Sequence, residues 1–257
     1  MSSGCIWFSL RFKEIDCSLG AHRAHIALEE LKVPFEEVII DLDKPRTPEY
    51  LKINPRGLVP ALSYNGEIII ESAIVSQFLA DAYPSHLVPT SNAPGGALRR
   101  AQIAVFADTF TSKLTSSLSG FYTAKTDEEK ESIVEKFTQN VIKEVEPLLA
   151  DAAPFFGGSD KLTLAEVREY LSMCASFLSW RGAKKLQVLT GSFVIRHKAL
   201  TEAGVYPKSI TLAAIADKAP NFVKWAEAVS AHPSVRSIFD EEKIVEGTKA
   251  RIAKLSA

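Results

Sequence analysis

The sequence has too few cysteines, too even a charge and too short apolar runs for several whole classes of protein. Its three cysteines, Cys5, Cys17 and Cys174, are an odd number with no metal-ligand spacing, and a chain of 257 residues can build a core without disulfide staples. A reducing compartment is the expectation. Lys plus Arg number 30 and Asp plus Glu 31, a formal charge of -1, so nothing announces nucleic acid or an anionic membrane as partner. No segment reaches the roughly 18 apolar residues of a membrane helix. Met1 through Leu10 lacks a basic stretch followed by a long apolar run. These absences predict a cytoplasmic protein with no nucleic acid, membrane or metal partner. What is there is 46% hydrophobic, enough for one large or two small globular domains.

The order of elements can be read from periodicity. Ile6 to Leu10 is apolar and β-favouring, and Ala21, Ala24, His25, Ala27, Leu28 and Leu31 then recur at spacings of three and four. A second strand, Phe35 to Ile40, follows a proline, so the first unit is a right-handed βαβ. Glu49 to Ile53 can form a short helix. Val59 to Tyr64 and Glu67 to Ile70 flank Asn65-Gly66, the strongest short hairpin signal. Ser72 stands before the helical apolar set Ala73, Ile74, Val75, Phe78 and Leu79, placed to cap the first turn. Between Tyr83 and Gly96 the composition shifts to Pro, Ser, Asn and Gly, which predicts a linker over 85–96. Beyond it Ala97 to Phe121, Glu128 to Leu149, the region after Thr163 and Asn221 to Ala231 carry helical spacing. The expected architecture is an α/β thioredoxin-like N-terminal domain (1–84) and an all-α C-terminal helical bundle (97–257).

Four motifs in order are Cys17-Ser18-Leu19-Gly20-Ala21-His22-Arg23, Asn54-Pro55-Arg56-Gly57-Leu58-Val59-Pro60, Glu71-Ser72 and Leu162-Thr163-Leu164-Ala165-Glu166. Together they resemble the cytosolic glutathione transferase family over nearly the whole chain, and the first is similar to its omega-type branch, in a fungal-like serine variant. The resemblance implies that Pro60 is cis and that the Val59 backbone pairs with the cysteinyl backbone of glutathione. It also implies that Ser72 binds the α-carboxylate of the γ-glutamyl group while Glu71 helps to hold that group. Free amides and the positive end of a helix dipole at such a strand-to-helix junction favour an anion. Lys44 and Arg46 fall where the family often places a basic group near the glycine carboxylate.

Omega-type members typically show Cys-Pro-aromatic-Ala-x-Arg at the first motif. Ala21, His22 and Arg23 set a register that puts Ser18, not Cys17, in the reactive slot, with Leu19 for the proline and Gly20 for the aromatic residue. A cysteine there would exchange disulfides with glutathione. A serine can only donate a hydrogen bond to the sulfur, which favours the thiolate and lowers the thiol pKa. The expected activity is therefore conjugation of small hydrophobic electrophiles, or reduction of peroxides, by a glutathione thiolate that Ser18 stabilises. Alternatives are a ligand-binding protein of the same fold, an omega-type thioltransferase using Cys17, and a scaffold that kept the fold without catalysis. His22 and Arg23, in the first turn of a helix, read as solvent-facing or paired with a carboxylate.

The resemblance further implies a homodimer and a second-substrate pocket facing the first long helix after the linker, with Phe106, Phe110, Phe121 and Tyr122 as candidates beside their alternative as core. Thr163 and Glu166 fit a capping box. The family's helix runs on directly from there, whereas here Val167 to Gln187 intervenes, holding the only Met besides Met1, one of three Cys and one of three Trp. Removing it joins Glu166 to Val188 and restores the helix. Val-Arg-Glu-Tyr can be encoded by a sequence resembling a splice donor and Leu-Gln by one resembling an acceptor, so the segment reads as an in-frame retained intron, with a genuine insertion as the alternative.

Overall fold

The computed structural model describes residues 4–8, 19–40, 44–118, 120–121, 124–167, 190–237 and 239–256. Its first half runs β1 (Gly4–Phe8), α1 (Leu19–Leu31), β2 (Phe35–Ile39), α2 (Pro48–Ile53), β3 (Ala61–Tyr64), β4 (Glu67–Ile70) and α3 (Ser72–Ala82). The sheet order is β2-β1-β3-β4, with β1 parallel to β2 and antiparallel to β3. This is the thioredoxin-like arrangement. Asn65 at φ 52° and Gly66 at φ 87° supply the two left-handed residues of a primed turn, fixing the β3–β4 register at Tyr64 opposite Glu67. Ala21, Ala24, Ala27 and Leu28 bury one face of α1, small enough at the first three positions for α3 to pack closely through Val75 and Leu79.

Among the described residues the second half is helical apart from isolated bridges. α4 (Gly96–Thr109) continues through a π-helical stretch, Phe110–Thr115, into the short α5 (Ser116–Leu118). α6 (Asp127–Asn140) opens on a complete capping box between Thr126 and Glu129. It passes into a second π-helical stretch, Val141–Val145, and a 3-10 turn, Glu146–Leu149. Then come α7 (Leu164–Val167), α8 (Thr190–Glu202), α9 (Leu212–Ile215), α10 (Pro220–Ala231), α11 (Pro233–Arg236) and α12 (Glu241–Ser256). Most of the expected intervening segment, Val167 to Gln187, lies outside the described residues; only Val167, buried at the end of α7, is seen.

The bundle core is aromatic. Trp225 packs against Phe106 and Phe110 with ring centroids 5.5 and 5.7 Å apart, and Phe106 lies 4.7 Å from Phe156. Such offset and edge arrangements suit the ring quadrupoles. Glu166, 1% exposed, sits beneath this cluster with four donors. They are the amides of Phe156 (2.9 Å) and Thr163 (2.7 Å), the Thr163 hydroxyl (2.7 Å) and the Trp225 indole (2.9 Å). The capping box is thus realised on the glutamate side, while the Thr163 hydroxyl accepts from Ala165 rather than from Glu166. The same glutamate ties a loop, a helix start and the central tryptophan together.

The two halves share buried surface. Leu87 and Val88, inside the proline-rich stretch expected as a linker, are buried, and the Leu87 carbonyl accepts from the Leu164 amide at 2.7 Å. On the other side the turn from His232 through α11 grips α1 at two points. His22 donates to the Val235 carbonyl at 2.6 Å. Two turns along, Glu30 accepts from the Ser234 hydroxyl and lies 2.8 Å from His86 and 3.6 Å from His232.

Candidate functional site

The residues of the second and third motifs meet at one end of the sheet, and the strand register explains why. Trp7, Ala61 and Ile70 lie opposite one another across β1, β3 and β4. The next step in that direction reaches the last residue of β1, the first residues before β3 and the first residue after β4. Val59, Pro60, Glu71 and Ser72 are therefore neighbours although the loop and the hairpin separate them in sequence.

The Val59–Pro60 peptide is cis. The loop leading to it is held by side chains from α2 and its flanks. Asn54, 1% exposed, donates to the Leu58 carbonyl at 2.7 Å and accepts from the Arg56 amide at 3.1 Å. The Tyr50 hydroxyl donates to the same carbonyl at 2.6 Å, and burial pushes its pKa up to about 12, so it remains a donor at any working pH. Arg46 donates to the Gly57 carbonyl at 2.8 Å and to the Lys44 carbonyl at 2.7 Å. Gly57 is at φ 63°, and a β-carbon there would meet the Arg46 side chain at 3.0 Å, so the turn needs a glycine on two counts. Arg46 is in this way a brace of the loop as well as a nearby cation.

At the other side of the site, Ser72 is the first residue of α3 and Glu71 occupies the capping position without a side-chain cap bond. The expectation of a capping serine is thus corrected: the chain leaves β4 so sharply that Glu71, not Ser72, takes the non-helical position. Glu71 adopts φ 72°, ψ 113°, a sparsely populated conformation for a residue with a side chain, of a kind that costs about 1–3 kcal/mol and is kept only where the surroundings impose it. Its carboxylate pairs with Arg56. Ser72 is nearly buried, and its hydroxyl oxygen accepts from Arg23 at 2.7 Å.

Arg23 is the residue that sequence reasoning missed. It and His22 are 4% and 2% exposed, not solvent-facing, because α1 is covered on one flank by α3 and on another by α11. His22 is pushed down to about 3, mainly by burial and secondarily by the Arg196 charge, so it is a neutral imidazole. The signal available was the spacing of His22 from His25 and of Arg23 from Ala27, but only the tertiary cover makes it legible.

Ser18 and Cys17, expected to handle the sulfur, lie outside the described residues, as does Tyr122. β1 ends and α1 begins at the same end of the sheet as Ser72. The pocket expectation for Phe106 and Phe110 is corrected: both are fully buried and packed on Trp225, so they are core. Phe121 is nearly buried, its ring 5.2 Å from Tyr206. An open depression of about 520 Å³ is lined by Gly120, Ala124, Glu128, Glu129, Ser132 and Ile133, none of them a residue expected of the site. Among the described residues no group of three or more His, Cys, Asp or Glu side chains is arranged to hold a metal ion, and no helix is long and apolar enough to cross a membrane.

Comparison with known proteins agrees with the layout. Residues 18–82 match the family model of the glutathione S-transferase N-terminal domain. Protein LigF of Sphingobium sp. is 24% identical over 84% of this chain and 87% of its own. The crystal structure of rice GST1 in complex with glutathione superposes with a TM-score of 0.73 at 21% identity, covering 98% of this chain and 97% of that one. Glutathione transferase Omega 1C from Trametes versicolor gives 0.71 at 22% identity, with 98% of each chain covered.

Proposed function

We infer that this chain, a relative of the glutathione transferases through its amino-terminal domain and alike in fold throughout, is itself a glutathione transferase of an omega-like, serine-bearing kind. The observation that carries the reading is the meeting of Val59, Pro60, Glu71 and Ser72 at one sheet end beside the start of α3. An extended cysteinyl backbone can pair with Val59, and the γ-glutamyl carboxylate finds the Ser72 hydroxyl and the free amides of the first turn of α3. Ser18 then donates to the sulfur and favours the thiolate. That thiolate attacks a small hydrophobic electrophile or a hydroperoxide.

The test uses the purified protein with glutathione and three partners in turn: a generic aryl halide electrophile, a hydroperoxide and a mixed disulfide. Turnover of the first or second, lowered by Ser18→Ala and not by Cys17→Ser, is the expected result. Turnover of the mixed disulfide that Cys17→Ser abolishes would assign thiol exchange instead. Calorimetric binding of glutathione with no turnover would assign a ligand-binding protein. The reading includes a cytoplasmic homodimer, whose interface would have the exposed apolar side chains Ile74 on α3 and Leu98 and Val105 on α4 available to cover. Sedimentation at micromolar concentration should give twice the chain mass.

A further inference from the structure

Arg23 is a guanidinium buried to 4% exposure, and it reaches the described site at the Ser72 hydroxyl oxygen. A hydroxyl carries one hydrogen and two lone pairs, whereas a guanidinium has five donors, no acceptor and no accessible neutral form. The contact of 2.7 Å therefore fixes the direction of the bond: NH1 donates and Oγ accepts. One lone pair of Oγ is filled by Arg23, and the serine's own hydrogen cannot turn towards Arg23. Within its own helix, Ser76 donates to the Ser72 backbone carbonyl at 2.9 Å and leaves Oγ alone.

We propose that Arg23 is a positioning residue that commits the Ser72 hydroxyl to donating, and so makes the start of α3 selective for the α-carboxylate of the γ-glutamyl group. The inference rests on the proposed glutathione site and deepens it. An accepting Oγ polarised by a permanent cation is a stronger donor on its remaining hydrogen, since successive hydrogen bonds in a chain reinforce one another. The same cation, in surroundings drier than water, favours an anionic acceptor over a neutral one. Arg23 need not touch the ligand to do this. His22 beside it, neutral and bonded to Val235, holds the start of α1 against the second domain, so the guanidinium is presented from a fixed helix turn.

The experiment measures calorimetric dissociation constants at pH 7 for glutathione and for the same tripeptide lacking only that carboxylate, γ-aminobutyryl-cysteinyl-glycine. Wild type, Arg23→Gln, Arg23→Lys, Ser72→Ala and the Arg23→Gln/Ser72→Ala double variant are compared. Arg23→Gln should weaken glutathione by about ten- to a hundredfold, the range of a hydrogen bond to a charged group, and the decarboxylated peptide by less than about twofold. Arg23→Lys should recover part of the loss. The double variant should bind no more than about threefold worse than the weaker single variant, because both changes break one chain of bonds. Should Arg23→Gln fail to fold, Arg23→Lys carries the same comparison, with a smaller loss confined to glutathione. Equal losses for both peptides, or losses that multiply in the double variant, would overturn the positioning role while leaving the site intact. A wild-type protein that binds neither peptide would overturn the functional reading and this proposal together.

Discussion

Acidification from about pH 8 to about pH 5 should remove several kcal/mol of folding free energy, through histidines that the fold keeps neutral. His22 and His197 are buried and held to about 3 and about 4 against an ordinary value of 6.5. Desolvation is the main cause for both, each ring donates to a backbone carbonyl, and His197 also stacks on Phe137. A neutral ring in the fold and a protonatable one in the unfolded chain mean that unfolding takes up a proton below pH 6.5. The contribution is intact above that pH, falls as the pH drops, and its loss is complete only below about 3 to 4. At pH 5 each such group costs about 2 kcal/mol relative to pH 8, about 4 kcal/mol for the pair. His25, lowered to about 4, adds less than its depressed value suggests, because the Glu37 carboxylate 3.2 Å away can accept an imidazolium. The loss is a large share of a typical 5–15 kcal/mol. Urea unfolding at constant ionic strength, followed by tryptophan fluorescence, should give a slope of about 2.5 kcal/mol per pH unit near pH 5. Replacing His197 by Gln should halve that slope. A stability that stays level between pH 7 and 5 would refute the reasoning.

Three further outcomes are expected. Glu166→Ala strips the acceptor from four buried donors and should cost about 3–5 kcal/mol in urea unfolding, with Glu166→Gln retaining more. Glu71→Gly relieves the φ of 72° and should leave stability unchanged or raise it by up to about 2 kcal/mol while glutathione binds more weakly; a loss above about 1 kcal/mol would show that the conformation is unstrained. Deleting Val167 to Gln187 returns a valine to the position after Glu166, where Val167 is 1% exposed. It should raise the melting temperature by about 2 °C or more, and an insoluble or lower-melting product would sink the retained-intron reading.

The elements of the first half were legible because their signals are local. Asn65-Gly66 sets a turn by itself, and the apolar spacing of α1 depends on nothing beyond the helix. The boundaries moved by only a residue or two, as at Ala61 against Val59, where the pairing of β3 stops short of the cis peptide. What was not legible depended on distant chain. His22 looks like a surface residue until α11, more than two hundred positions away, covers it, and Arg23 does so until Ser72 at the start of α3 meets it. Phe106 and Phe110 carry one periodicity whether they line a pocket or a core, and only Trp225 opposite them decides. Ser72 has the composition of a cap, yet the left-handed turn at Glu71 shifts the helix start by one residue.

The two-point hold of the His232–Arg236 turn on α1 bears on any attempt to recombine these halves. A chimaera that takes residues up to the proline-rich stretch and grafts them onto another helical partner would strip the Val235 carbonyl from His22 and the Ser234 hydroxyl from Glu30. Two polar groups placed for burial would then face whatever the new partner offers. Modular exchange is workable only if the turn travels with the sheet, so the inheritable unit here is discontinuous: the first eighty-odd residues together with a short piece near the other end of the chain.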